Sequence, residues 1–181
     1  MLTKGADYIH YSRRSATVAV IDEILAANDK YAAEFSSPNL PMPPARKVAV
    51  VVCMDARIDP ERAFGLGLGE AHVIRNAGGR VSEAIRSLVI SQALLGTEAV
   101  MVVHHVDCGM LTFNDQSLRD QLRKQHGADA DAVAFLSFDD LDQSVRDDLQ
   151  AYRLSPLVRQ DIPVRGFVYD VNTGKLREIA A

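Results

Sequence analysis

Cysteine is scarce in this chain, with only Cys53 and Cys108 in 181 residues. A chain of that length can bury a full hydrophobic core without a covalent staple, so a disulfide scaffold is not expected. No apolar run approaches the roughly 18 residues that a membrane span needs. The N-terminal stretch MLTKGADYIHYSRRS has no apolar signal core, and Asp7 counts against reading its two Arg and two Ser as organelle targeting. Neither sign of charge dominates: the net charge is −4, and Lys and Arg are scattered among acids. That pattern excludes the basic stripe of a nucleic-acid binder. A charged fraction of 24% with an ordinary apolar fraction excludes a disordered chain. Internal repeats and low-complexity segments are missing. So is the G-x-G-x-x-G fingerprint, since Gly65-Leu66-Gly67-Leu68-Gly69 precedes a strand rather than following one. The expectation is a reduced, cytoplasmic, globular protein with no nucleic-acid and no membrane partner.

What is present is a clear alternation of elements. Ile21, Ile24, Leu25, Ala32 and Phe35 recur at helical spacing and predict an amphipathic helix over Ser15–Phe35. The run from Ser36 to Pro44 is proline-rich and can be neither helix nor central strand. Residues 1–45 thus read as an N-terminal helical arm with its connector, and 46–181 as an α/β core, together one domain. The arm packs on this core or on a second copy. In the core, strands are predicted at Lys47–Cys53, His72–Arg75 and Ala99–His104. Helices are predicted near Pro60–Phe64, Ser82–Leu95, Asn114–His126 and Asp139–Leu154, and Gly127–Asp131 reads as a solvated loop. A hairpin closes the chain, with Val164–Val171 and Lys175–Ile179 joined at Asn172-Thr173-Gly174. Strands alternating with helices predict a three-layer α/β fold, a mainly parallel sheet flanked by helices on both faces.

Both cysteines lie where such a sheet presents its ligand site, at the carboxyl ends of strands. VAVVV leads into Cys53-Met54-Asp55-Ala56-Arg57, and AVMVV leads into His104-His105-Val106-Asp107-Cys108-Gly109. Two thiols and an imidazole suit zinc, and H-x-x-C lets His105 and Cys108 reach one ion across a tight turn. Cys53, His105 and Cys108 leave a fourth tetrahedral position for water or for Asp55. Strand alternation is expected to put Cys53, Asp55 and Arg57 on one side, with Arg57 pairing Asp55. Two buried core thiols would be the plainer explanation of the cysteines, but the flanking Asp, Arg and His weigh against it. His104 should face away from His105 in a structural role. Asp107 either bonds the loop or supports a ligand. The Asn76–Gly79 segment is either a turn needing glycine or a backbone surface beside the metal.

The C-x-D-x-R and H-x-x-C pair resembles the β-class carbonic anhydrases. The resemblance runs through His72-Val73-Ile74-Arg75-Asn76-Ala77-Gly78-Gly79, Gly109-Met110-Leu111-Thr112 and Arg165-Gly166-Phe167-Val168-Tyr169-Asp170. It covers about Met42 to Ile179 and is closest to a short bacterial and fungal branch. It implies one Zn2+ per chain and a homodimer or dimer of dimers, with the N-terminal helix wrapping the neighbour. It also implies hydration of CO2 to bicarbonate by metal-bound hydroxide, with Asp55 orienting the nucleophile and Arg57 positioning Asp55. Asn76, Ala77, Gly78, Val106 and Gly109 are the expected substrate-binding positions. Many relatives have Thr where this chain has Val106, which would make that part of the pocket less polar. Because the family includes carbonyl sulfide and carbon disulfide hydrolases with the same ligands, carbonyl sulfide hydrolysis to CO2 and hydrogen sulfide is the alternative activity. A non-catalytic zinc module with a closed site is the third reading.

Overall fold

The computed structural model describes residues 17–180. The prediction for Ser15 and Ala16, and the targeting reading of the first fifteen residues, fall outside them. Compactness divides the chain into one unit ending at Leu40 and another beginning at Pro41, a boundary inside the proline-rich connector. In the first unit α1 spans Thr17–Glu34. It carries its apolar residues in the open: Ile21, Ile24, Leu25 and Tyr31 are each more than half exposed. None of the helices among the described residues is long and apolar enough to cross a membrane.

The second unit is a five-stranded sheet in the order β2-β1-β3-β4-β5. Strand β1 is Val48–Cys53, β2 Ala71–Asn76, β3 Ala99–His105, β4 Val164–Tyr169 and β5 Leu176–Ile179. The first four run parallel and β5 returns antiparallel to β4 as the predicted hairpin. The helices are α2 Pro60–Phe64, α3 Val81–Ala93, α4 Asp115–His126 and α5 Leu141–Leu154. The predicted boundaries stand within about two residues, because punctuation is explicit at most ends. Asp59 caps α2 with Pro60 at its first turn, Asn114 and Ser117 form a capping box on α4, and Gly127 ends α4 in the left-handed region.

A residue run such as VAVVVC is apolar at every position because both faces of the sheet are covered. On one face Ala49, Val51, Val100 and Val102 meet Val81, Ala84 and Leu88 of α3 and Val145, Leu149 and Tyr152 of α5. Gly166 lets α5 approach β4, since a Cβ there would collide with Val145 and Leu149. On the other face Val50, Val52 and Val103 pack with Ile58, Met110, Tyr169, and Ala63 and Phe64 of α2. Helix α4 buries no residue.

The chain leaves β1 for β2 on one side and later returns to β3 on the other. Adjacent strands β1 and β3 therefore send their connections in opposite directions, which opens a crevice beyond their carboxyl ends. Cys53 ends β1 and His105 ends β3. In the parallel register Val52 pairs with Val103, so the two strand ends finish nearly level.

Candidate metal centre

The ligand atoms of Cys53, His105 and Cys108 lie within 4.8 Å of one another, and all three residues are buried. His105 comes to this face because β3 alternates: Met101 and Val103 share its side, while His104 and Val106 point the other way. The Nδ1–H of His105 donates to the Val106 carbonyl at 2.9 Å, which leaves Nε2 with its lone pair toward the sulfurs. Nε2 is buried and has no hydrogen-bond partner among the described residues. An acceptor nitrogen without a partner, facing two thiols, fits a tetrahedral N/S-preferring cation such as zinc.

Protonation in the cluster follows its geometry. The adjacent Cys108 thiol pulls the Cys53 thiol down to about 4 against the cost of burial, helped by His105 and by the backbone N–H groups of Asp55 and Gly78. Cys108 moves the opposite way, pushed up by its contact with Cys53 and by burial. One thiolate is thus already favoured and the second proton is held, to be displaced by a cation. Burial opposes charge on His105, but the nearby Cys53 sulfur more than offsets it and raises its pKa.

Asp55 stands beside the three ligands, with Oδ2 3.7 Å from His105 Nε2. Its pairing with Arg57 is present, yet strand alternation is not the cause. The strand stops at Cys53, and the chain turns, with Ile58 N–H donating to the Asp55 carbonyl at 3.0 Å. Within this turn Arg57 donates three times to the one carboxylate. Its backbone N–H and Nε–H reach Oδ1 at 2.8 and 2.9 Å, and Nη2–H reaches Oδ2 at 2.8 Å. Hydrogen bonds from the Arg57 side chain lower the Asp55 carboxyl to about 2, so it is ionised at any physiological pH.

The expected substrate-binding residues separate. Ala77 packs on the apolar cluster that contains Cys53 and Cys108, and the backbone N–H of Gly78 meets the Cys53 sulfur. Gly78 has φ +79, and a Cβ on it would press Met110 at 3.0 Å. Asn76 uses its side chain elsewhere: Oδ1 accepts from Arg80 N–H and Nδ2 donates to the Arg80 carbonyl. Gly109 follows Cys108 at the start of a short 3-10 turn and is exposed. Val106 is the correction. It packs with the α3 and α5 face of the sheet, away from the ligands, because alternation along β3 gives it the side of His104.

His104 takes the structural place expected of it. It lies between Ser144, at 2.7 Å from Nδ1, and Asp148, whose Oδ2 is 2.9 Å from Nε2, and it stacks on Phe138. Two supporting residues escaped the sequence reading. Arg75 donates to the carbonyls of Cys53 and Asp55 at 3.1 and 2.7 Å, holding the turn after β1. Its signal was present in the Arg75–Gly79 run but unassigned. Asp148, buried in α5, accepts the Val81 N–H at 3.1 Å and lies 3.4 Å from Arg80 Nε, so it caps α3 from another helix. Asp107, for which the sequence left loop bonding and ligand support both open, faces Arg57 across the site at 2.6 Å.

A family model described as carbonic anhydrase matches residues 48–176. Beta-carbonic anhydrase 1 of Mycobacterium tuberculosis is 46% identical over 163 residues, covering 90% of this chain and 99% of its own length. A carbon disulfide hydrolase of Acidithiobacillus thiooxidans is 33% identical over 157 residues, covering 73% of this chain and 72% of its own. Among solved structures, the carbonic anhydrase from Streptococcus mutans matches with a TM-score of 0.85 and 42% identity, covering 93% of this chain and 100% of that one.

Proposed function

The chain belongs to the β-class carbonic anhydrase family, and from that premise we propose that it hydrates CO2 to bicarbonate at one zinc ion held by Cys53, His105 and Cys108. The observation that carries this reading is a three-ligand N/S set whose buried His105 Nε2 has no partner among the described residues. Three protein ligands leave one tetrahedral position open, the arrangement of a catalytic site. When bound, zinc is a Lewis acid that lowers the pKa of coordinated water from about 16 toward ~7. Asp55, kept ionised and aimed by Arg57, accepts a hydrogen bond from the attacking water and turns its lone pair toward the substrate carbon. Ala77 offers a small apolar surface beside the ligands for a linear substrate.

Carbonyl sulfide hydrolysis is the second reading, supported by the 33% identity to a protein named carbon disulfide hydrolase. Carbonyl sulfide has the linear shape of CO2, and the choice rests on the pocket rather than on the ligands. A homodimer or dimer of dimers is supported by the exposed apolar stripe of α1. Two free, buried ligand cysteines suit the reducing cytoplasm.

Parallel assays decide among these readings. CO2 hydration that is lost on chelation and restored by zinc is the expected result, and Asp55→Ala should retain zinc while losing most turnover. Hydrogen sulfide release from carbonyl sulfide without CO2 hydration would establish the hydrolase. Turnover of neither substrate from neutral to alkaline pH would leave a closed zinc module.

A further inference from the structure

We propose that Asp107 is a positioning residue: from the loop between His105 and Cys108 it clamps Arg57, and through Arg57 it sets the orientation of Asp55. The guanidinium of Arg57 is held on two edges. One edge serves Asp55 through Nε and Nη2. On the other, Nη1–H donates to Asp107 Oδ2 at 2.6 Å and Nη2–H donates to the Asp107 carbonyl at 2.9 Å. One side chain thereby ties together two loops 50 residues apart, each carrying metal ligands.

The backbone of Asp107 supports a specific use for this residue. Its φ is +55, in the left-handed region that glycine occupies without steric cost. A residue bearing a side chain stands there instead, and both its carboxylate and its carbonyl meet the same guanidinium. Without that second edge, Arg57, about half exposed, could swing while keeping Asp55 paired. Asp55 Oδ2 is only 3.7 Å from His105 Nε2, so a small swing would change the direction in which the carboxylate faces the ligand set. Asp107 is itself well exposed, and exposed ion pairs add little to stability. The consequence should therefore appear in turnover rather than in folding.

The inference rests on the functional reading only in giving Asp55 an orienting role. Its test uses the full chain with zinc bound. Asp107→Asn tolerates the left-handed backbone and removes the charge, whereas Asp107→Gly relieves the backbone and removes the side chain. Both variants are expected to keep native circular dichroism and one zinc per chain. For each, kcat for CO2 hydration should fall roughly 5-fold with KM unchanged. The Arg57 Nε–H, followed by NMR, should exchange faster with solvent. In an Arg57→Gln background, Asp107→Asn should add no further loss. Unchanged kcat, unchanged exchange, or an equal loss in the Arg57→Gln background would overturn the clamp. If the wild-type zinc protein turns over neither CO2 nor carbonyl sulfide, the functional reading fails, and the exchange measurement alone decides the clamp.

Discussion

Asp55 receives three N–H donors from the residue two positions ahead, and its acidity follows from that. In an unfolded chain its pKa is near 3.9, and in the folded protein it lies at about 2. A carboxylate lowered on folding stabilises the native state above its unfolded pKa, and that stability is lost as pH falls through the folded value. The window here is therefore about pH 4 down to 2. Because Arg57 is half exposed, the contribution is on the order of 1 kcal/mol. Urea unfolding of the zinc-free protein should show Asp55→Asn less stable than wild type by that amount near pH 6, with the gap closing by pH 2. A gap that persists at pH 2 would mean that charge is not what the substitution removes. At this scale the residue types were legible in the sequence, because C-x-D-x-R and H-x-x-C state their chemistry directly. The direction of Val106 was also implicit in the alternation of β3, but it could be used only once the strand was known to continue through His105.

Between elements, the short turn from Ala77 to Gly79 transmits the fold to the site. Gly79 has φ +72, and a Cβ there would lie 2.9 Å from the Val103 carbonyl oxygen and 3.0 Å from Cys53 N. The turn is thus pressed against the backbone of β1 and β3 where they deliver ligands. Gly79→Ala should destabilise the protein by about 2–4 kcal/mol through backbone strain and overpacking. The same variant should bind zinc less tightly, measurable by urea denaturation and by competition with a chromophoric chelator. Wild-type stability and affinity would show that the turn can move without cost. The periods of the strands and helices were legible because they are local properties. The cap that Asp148 places on α3 was not, since it comes from 67 residues away and depends on α5 lying beside α3.

For the molecule as a whole, the strand order turns two ordinary cysteines into a site. Cys53 and His105 meet because β1 and β3 are neighbours with opposite exits, a relation that no stretch of sequence carries. The same scale governs assembly. Ile21, Ile24 and Leu25 of α1 are each more than half exposed, an apolar stripe that calls for a partner surface. Replacing Ile24 and Leu25 by Gln should lower the mass measured by light scattering from a multiple of the chain toward a single chain. An unchanged mass would place the assembly surface elsewhere. The sequence by itself determined the ligand types, the α/β alternation and the strand ends at which the ligands stand, because each is written in local period and residue chemistry. Only the tertiary structure decided that the three ligands converge, that Val106 turns from them, and that Arg57 is shared by Asp55 and Asp107. Those outcomes depend on which strands lie side by side and on a left-handed turn between two ligands, and neither is a property of neighbours in sequence.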